Sequence, residues 1–485
     1  MTNIEITTGS NLVDGQWVPS ASGATFRSVD PAHPTEVLGV FPDSTAQDVA
    51  AAVDALEKAA PEWAATPPER RARILERAAD ALEARADQLI TELIREEGKS
   101  RAEATTEVSR TPMNLRFYAA EALRSGGSTY PAAGQTMVYT VREPVGIVGA
   151  ITPWNFPLNI PSRKLGPALA AGNVVLFKPS EVTPLMGQRL VEALIAGGLP
   201  PTAIALIQGG GGAGAAVAAD DRVTAVTFTG STDVGAAIHA GVGPQRRVQL
   251  EMGGKNPTVV LGDADLDFAA TTIVKGAFGL SGQACTGTSR VVVVDQIHDA
   301  LVDAVVAKAS ALRLGPGIDD GVTMGPLASA AQLAKYREYV SIGVAEGALR
   351  HDVDVPAPES DGYFAAPVVF TDTTPDMRIV REEIFGPVLA FQRARDFDDA
   401  LRIANDTAFG MSAAVITADL TRAMAFAAAS KTGLVKVNQP TTGMAMNAPF
   451  GGYKASSTQT FKEQAGPSMM QFYQAEKTIY LTPAG

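Results

Sequence analysis

The 485-residue chain is poor in cysteine, histidine and positive charge, and it has no long hydrophobic run. One cysteine, Cys285, excludes an intramolecular disulfide and a cysteine-rich zinc cage. The four histidines, His33, His239, His298 and His351, lie in segments without a catalytic pattern, which disfavours a Cys/His hydrolase. Lys and Arg total 40 against 52 Asp and Glu; the net charge of −12 argues against nucleic acid or an anionic membrane surface as partner. The longest uncharged apolar stretch, Val145 to Ser162, is interrupted by Pro153, Pro157 and Pro161 and by Asn155 and Asn159, so it is not a membrane span. Met1 to Ser10 carries Glu5 and lacks the basic and apolar regions of a secretory signal, so the expected location is cytoplasmic. No solenoid repeat and no long linker is visible.

What is present is an ordinary globular balance, 46% apolar and 19% charged, long enough for roughly three domain-sized units. The opening reads as hairpins: Leu12-Val13, the turn Asp14-Gly15, then Trp17-Val18. Thr66 and Pro67 signal a helix start, and Leu75, Ala78, Leu82, Leu89 and Leu93 recur at helical spacing up to Gly98. From Val145 short β-rich runs alternate with helical ones, predicting a doubly wound parallel sheet. The strands expected are Ile147 to Ile151, Val174 to Phe177, Ala203 to Ile207, Val223 to Phe228 and Arg247 to Glu251. The alternation resumes after Asn256, implying a second α/β unit. The last apolar run, Met469 to Leu481, reads as a terminal strand able to add to a neighbour's sheet.

A lone cysteine is by default a buried, inert thiol. Here other segments with chemical potential surround it in the sequence. Ser281-Gly282-Gln283-Ala284-Cys285-Thr286-Gly287 places the thiol in a small-residue turn before a strand. Ile151-Thr152-Pro153-Trp154-Asn155 sets an amide after a strand end, Phe177-Lys178-Pro179-Ser180-Glu181 does the same for a Lys and a Glu, and Glu251-Met252-Gly253-Gly254-Lys255 puts a carboxylate where open α/β sheets present ligand groups. With Phe228-Thr229-Gly230-Ser231, Glu382-Glu383-Ile384-Phe385-Gly386-Pro387 and Pro449-Phe450-Gly451-Gly452 they form seven ordered motifs. Together, over the whole length, they resemble the aldehyde dehydrogenase superfamily.

The resemblance implies an α/β fold: a Rossmann-type cofactor domain (1–122 and 144–252), an α/β catalytic domain (253–468) and a small β oligomerisation arm (123–143 and 469–485). It implies oxidation of an aldehyde to an acid through a thiohemiacetal and a thioester. Cys285 is then the nucleophile, Asn155 an oxyanion donor and Glu251 the general base for hydrolysis, with Lys164 and Glu463 as a proton relay. Glu251 also argues against the acyl-CoA-forming branch. Cofactor contacts carry over to Ile151, Trp154, Lys178, Ser180, Glu181, Gly230, Ser231, Glu383 and Phe385. Glu181 facing a ribose repels a 2′-phosphate, so NAD is expected ahead of NADP, with NADP still possible. No metal is implied, and the assembly is a homodimer or homotetramer.

Gly209-Gly210-Gly211-Gly212-Ala213-Gly214 also satisfies G-x-G-x-x-G, but no acidic residue ends a strand about 20 residues later. The run is expected to be a flexible connection. For the substrate, Arg163 is placed about two helical turns beyond Asn155 and matches the arginine with which succinate-semialdehyde dehydrogenases bind a distal carboxylate; a planar fork suits that group. Their second arginine is Gly279 here. The Cys285 to Arg290 stretch and the tail Lys454 to Gln464 look more like 2-oxoglutarate-semialdehyde dehydrogenases. The expected substrate is an ω-carboxylated semialdehyde; the alternatives are a broad-specificity aldehyde dehydrogenase, a cysteine esterase and a non-catalytic relative.

Overall fold

The computed structural model describes residues 6–461 and 464–484. The first of two seven-stranded sheets runs Arg247–Glu251, Val223–Thr229, Ile147–Ile151, Val174–Lys178, Ile204–Leu206, Asn11–Val13, Gln16–Val18. Its first five strands are parallel, and the hairpin Asn11–Val13 with Gln16–Val18 closes the edge antiparallel. Strands such as Val174–Lys178 are buried throughout, which is why they read as continuous apolar runs and not as alternating ones. Register pairs Ile151 with Phe228 and Lys178, and Thr229 with Glu251. The carboxyl ends of four neighbouring strands therefore lie in one row, where ligand-binding groups of open α/β sheets belong.

The second sheet runs Leu349–Asp352, Val368–Thr371, Val388–Ala394, Thr288–Val294, Asn256–Val260, Ser412–Ile416, Leu434–Val437, parallel except at the Leu349–Asp352 edge. Only Met252 to Lys255 separate Glu251, at the end of the first sheet, from Asn256, at the start of a central strand of the second. That short join draws the two sheets together at the candidate site.

The periodicity from Leu75 to Leu93 spans two helices, Pro68–Glu83 and Ala86–Glu97, the second stopped by left-handed Gly98 at φ 96°. Helix Arg101–Arg124 follows, opened by a capping box between Ser100 and Glu103.

Two expectations are corrected. The glycine run is not a flexible connection: Gly210 caps a helix, Gly211–Ala219, whose Ala213, Gly214, Val217 and Ala218 are buried. Glycine propensity is overridden because small residues let the helix lie close on the sheet; a Cβ on Gly149 of strand Ile147–Ile151 would sit 2.8 Å from Val217. Likewise Pro467–Tyr473 is a 3-10 helix, with Met469, Met470, Phe472 and Tyr473 buried in the core of the first sheet. The strand begins only at Gln474 and pairs antiparallel with Met137–Pro144 of the same chain, which also pairs with Thr129–Tyr130. Among the described residues no helix is long and apolar enough to cross a membrane.

Candidate active site

A cavity of ≈ 510 Å³ opens at the row of strand ends, with Cys285, Glu251, Arg163, Phe156, Phe450 and Met444 on its walls. The turn carrying Cys285 leaves helix Leu266–Phe278 through Leu280 and Ser281, both left-handed at φ 54°, and Gly282 at φ 73°. Left-handed backbone costs a residue with a Cβ about 1–2 kcal/mol, so two in succession need external support. It comes from Glu103, whose Oε1 accepts the Leu280 N–H at 2.6 Å, and from Ser281 Oγ, which donates to the Gly325 carbonyl at 2.7 Å. Gly282 is required: a Cβ there would fall 2.3 Å from the Gly386 carbonyl oxygen. Beyond the turn, Asn256 Nδ2 donates to the carbonyls of Cys285 (2.8 Å) and Gly287 (2.9 Å).

Asn155 lies in a turn after strand Ile147–Ile151; the helix carrying Arg163 begins only at Asn159, so the two do not share a helix as the spacing predicted. They still converge. Asn155 Nδ2 donates to the carbonyl of Gln283 at 2.9 Å, two residues before Cys285, and this leaves its second amide hydrogen for another acceptor. The Asn155 carbonyl is held by Lys99 Nζ, which is buried between Glu97 (3.1 Å) and Glu107 (3.3 Å). Glu107 Oε1 in turn accepts the N–H groups of Leu158 and Asn159.

The electrostatics are those of a dry site. Burial, with Glu251 and Glu383 nearby, pushes the Cys285 thiol up to about 12, opposed by Arg163. Burial raises Glu251 to about 8; its Oε1 accepts the Gly452 N–H at 3.3 Å, and Oε2 has no hydrogen-bond partner among the described residues. Lys164, fully buried, donates to Thr227 Oγ1 (2.8 Å) and Gln464 Oε1 (2.9 Å), and desolvation holds its ammonium well below the usual range. Glu463 lies outside the described residues. Arg163 is 9% exposed and makes no ion pair among the described residues. Its Nη1 rests on Met444 Sδ at 2.7 Å, its guanidinium lies over Phe450 at 5.5 Å, and its Nε has no partner among the described residues.

The other predicted residues follow the strand ends away from the cavity. Ile151 ends its strand, and Trp154 meets Phe385 edge-on at 5.5 Å. Lys178, almost fully buried, pairs with the half-exposed Glu181 at 3.2 Å, next to buried Ser180. Gly230 and Ser231 lead into helix Thr232–Gly241; the Ser231 side chain makes no capping bond, and Thr232 Oγ1 is buried without a partner among the described residues. That helix start has open N–H groups suited to an anion. Glu383 Oε1 accepts the Gly254 N–H at 2.8 Å, which ties this row to the cavity.

Lys99, Glu103 and Glu107 are absent from the sequence reading. The one local signal was Ser100-x-x-Glu103 after Gly98, a capping box; that its carboxylate also reaches residue 280 has no sequence signature. A thiol, a carboxylate and a guanidinium with no ion pair among the described residues around one cavity, with the Asn155 amide beside the cysteine turn, suit addition to a carbonyl compound that carries a negative charge.

A model of the aldehyde dehydrogenase family matches residues 17–479. The chain is 42% identical over 476 residues to an alpha-ketoglutarate semialdehyde dehydrogenase of Haloferax volcanii, covering 97% of this chain and 98% of that one. It is 40% identical over 472 residues to a 2,5-dioxopentanoate dehydrogenase of Saccharolobus solfataricus, covering 96% and 98%. The crystal structure of an NAD-dependent aldehyde dehydrogenase from Sinorhizobium meliloti superposes with a TM-score of 0.94 at 35% identity, over 99% of this chain and 96% of that one.

Proposed function

The chain belongs to the aldehyde dehydrogenase family, and from that premise we propose that it oxidises 2-oxoglutarate semialdehyde to the dicarboxylic acid with NAD. The observation that carries the substrate reading is Arg163: a buried guanidinium with no carboxylate partner among the described residues, on the wall of the cavity that holds Cys285. An unpaired buried charge is costly, and a substrate carboxylate seated on its planar fork supplies the missing partner.

The Cys285 sulfur, deprotonated with Glu251 as the adjacent base, attacks the aldehyde carbon; the C–S bond forms as the carbonyl becomes an alkoxide. Asn155 Nδ2 and the Cys285 backbone N–H hold that oxygen, and losing one such donor costs ~3 kcal/mol of transition-state stabilisation. NAD, when bound, supplies the acceptor for the two electrons and the hydrogen that leave this carbon. Lys164 with Glu463 passes that first proton onward, so that Glu251 is ionised again; it then takes a proton from water as the water attacks the thioester, the C–S bond breaks to return the Cys285 thiolate, and the acid departs.

The residues present fit NAD. The open start of helix Thr232–Gly241, with unpartnered Thr232 Oγ1, suits the pyrophosphate beside Ser231 and Trp154. Lys178 and Glu181 suit the adenine ribose hydroxyls, with Ile151, Ser180 and Gly230 lining the way, and Glu383 and Phe385 suit the nicotinamide ribose. The Glu181 carboxylate disfavours a 2′-phosphate, which supports NAD over NADP. In this reading 1–122 and 144–252 form the cofactor domain, 253–468 the catalytic domain, and 123–143 with 469–485 the arm of a cytoplasmic homodimer or homotetramer.

The test is an aldehyde panel with and without a distal carboxylate, assayed with NAD and NADP by absorbance of the reduced nicotinamide. 2-Oxoglutarate semialdehyde with NAD is expected to give the highest kcat/KM; an uncharged aldehyde equalling it contradicts the substrate reading.

A further inference from the structure

The strained turn before Cys285 is fastened from 177 residues away in the chain. Leu280 and Ser281 both sit in left-handed backbone, and Gln283 N–H closes the turn onto the Leu280 carbonyl at 2.9 Å. The Leu280 N–H ends on Glu103 Oε1, while the other oxygen of that carboxylate holds Ser100 N–H (3.0 Å) and Ser100 Oγ (2.7 Å). One side chain thus joins the start of helix Arg101–Arg124 to the turn that presents the thiol. Glu103 also borders the cavity.

We propose that Glu103 is a positioning residue for the reaction: its carboxylate holds Leu280 in left-handed backbone and thereby fixes where Cys285 presents its sulfur. A capping carboxylate alone would need only Ser100. The second oxygen spent on a backbone N–H of a distant, strained turn is what separates this role from a cap. Leu280 would otherwise relax toward ordinary backbone, moving the Gln283 carbonyl that orients Asn155 along with Cys285. The Glu103–Leu280 bond thus acts on both the thiol and the Asn155 amide, alongside Ser281, Asn256 and Lys99.

The inference rests on Cys285 being the nucleophile, so its test reads the thiol directly as well as turnover. Because the chain has one cysteine, iodoacetamide alkylation in the absence of cofactor reports on Cys285 alone. Glu103→Ala is expected to lower kcat roughly 10- to 100-fold with a smaller change in KM, and to change the alkylation rate several-fold. Glu103→Gln, whose single amide oxygen can still accept the Leu280 N–H while its NH2 cannot accept from Ser100 N–H, is expected to keep the parent alkylation rate and kcat but to lower Tm through the lost cap. Ser100→Ala, which removes only the cap, is expected to lower Tm without changing alkylation. In a Leu280→Gly background, where left-handed backbone carries no Cβ penalty, the effect of Glu103→Ala should shrink several-fold. If Glu103→Ala does not fold, Glu103→Asp, one methylene too short to reach residue 280, replaces it. Unchanged alkylation in the folded Glu103 variant, or effects of residues 103 and 280 that simply multiply, overturns the proposal. Turnover surviving in Cys285→Ser would instead overturn the nucleophile reading.

Discussion

At the scale of single residues, Glu251 links burial to rate. Burial lifts its carboxyl from the ordinary range to about 8, so at neutral pH the protonated form prevails and only the ionised form can take a proton from water. With Glu251 as the proposed base, activity is expected to fall as pH drops through about 8 and to rise above it. The turnover step limited by hydrolysis should show log kcat climbing by about one unit per pH unit below 8, then levelling. Glu251→Gln should flatten the profile and lower kcat by about 100-fold or more. A wild-type profile already flat from pH 6 to 9 would remove Glu251 as the base. Cys285, Asn155 and Glu251 stood out as candidates in sequence because each sits in a short motif at a strand end or turn, and Arg163 through its spacing from Asn155. The residues that hold them were not: Lys99 acts on Asn155 across 56 positions, and Glu103 on Leu280 across 177. No local pattern encodes contacts of that separation.

At the scale of elements, the parallel strands were legible because burial on both faces demands continuous Val, Ile, Leu and Phe. Helix Gly211–Ala219 was hidden by its own composition, since glycine at the start argues locally against a helix while close packing on the sheet requires it. The left-handed pair Leu280-Ser281 was hidden for the opposite reason: neither residue type advertises that conformation. The connection from Glu251 to Asn256 passes so close beneath the cysteine turn that Gly254 has no room for a side chain. A Cβ there would lie 2.4 Å from the Cys285 carbonyl oxygen, itself pinned by Asn256. Gly254→Ala should accordingly destabilise the protein by about 1–3 kcal/mol, read by thermal unfolding, and lower kcat at least tenfold. An alanine variant with parent stability and rate would show that this join does not constrain the turn.

At the scale of the whole molecule, the sheet Gln474–Leu481, Met137–Pro144, Thr129–Tyr130 leaves Tyr480 73%, Leu481 51% and Met137 50% exposed. Apolar side chains on so small a sheet are expected to be covered by another copy of the chain. Light scattering should then give two or four times the 50.4 kDa of one chain, and Tyr480→Lys with Leu481→Lys should shift the mass downward; a monomeric parent would contradict the arm's assigned role.

A net charge of −12 surrounds a cavity with a guanidinium at its wall, so the overall acidity says nothing against an anionic substrate. The central claim is that Arg163 selects the carboxylated aldehyde, and the most direct measurement is kcat/KM of Arg163→Ala against the parent enzyme on 2-oxoglutarate semialdehyde and on pentanal. A charge-assisted contact of about 2–3 kcal/mol predicts a loss of roughly 30- to 150-fold on the carboxylated aldehyde, with pentanal changed by less than about threefold. Equal losses on the two aldehydes would contradict the account.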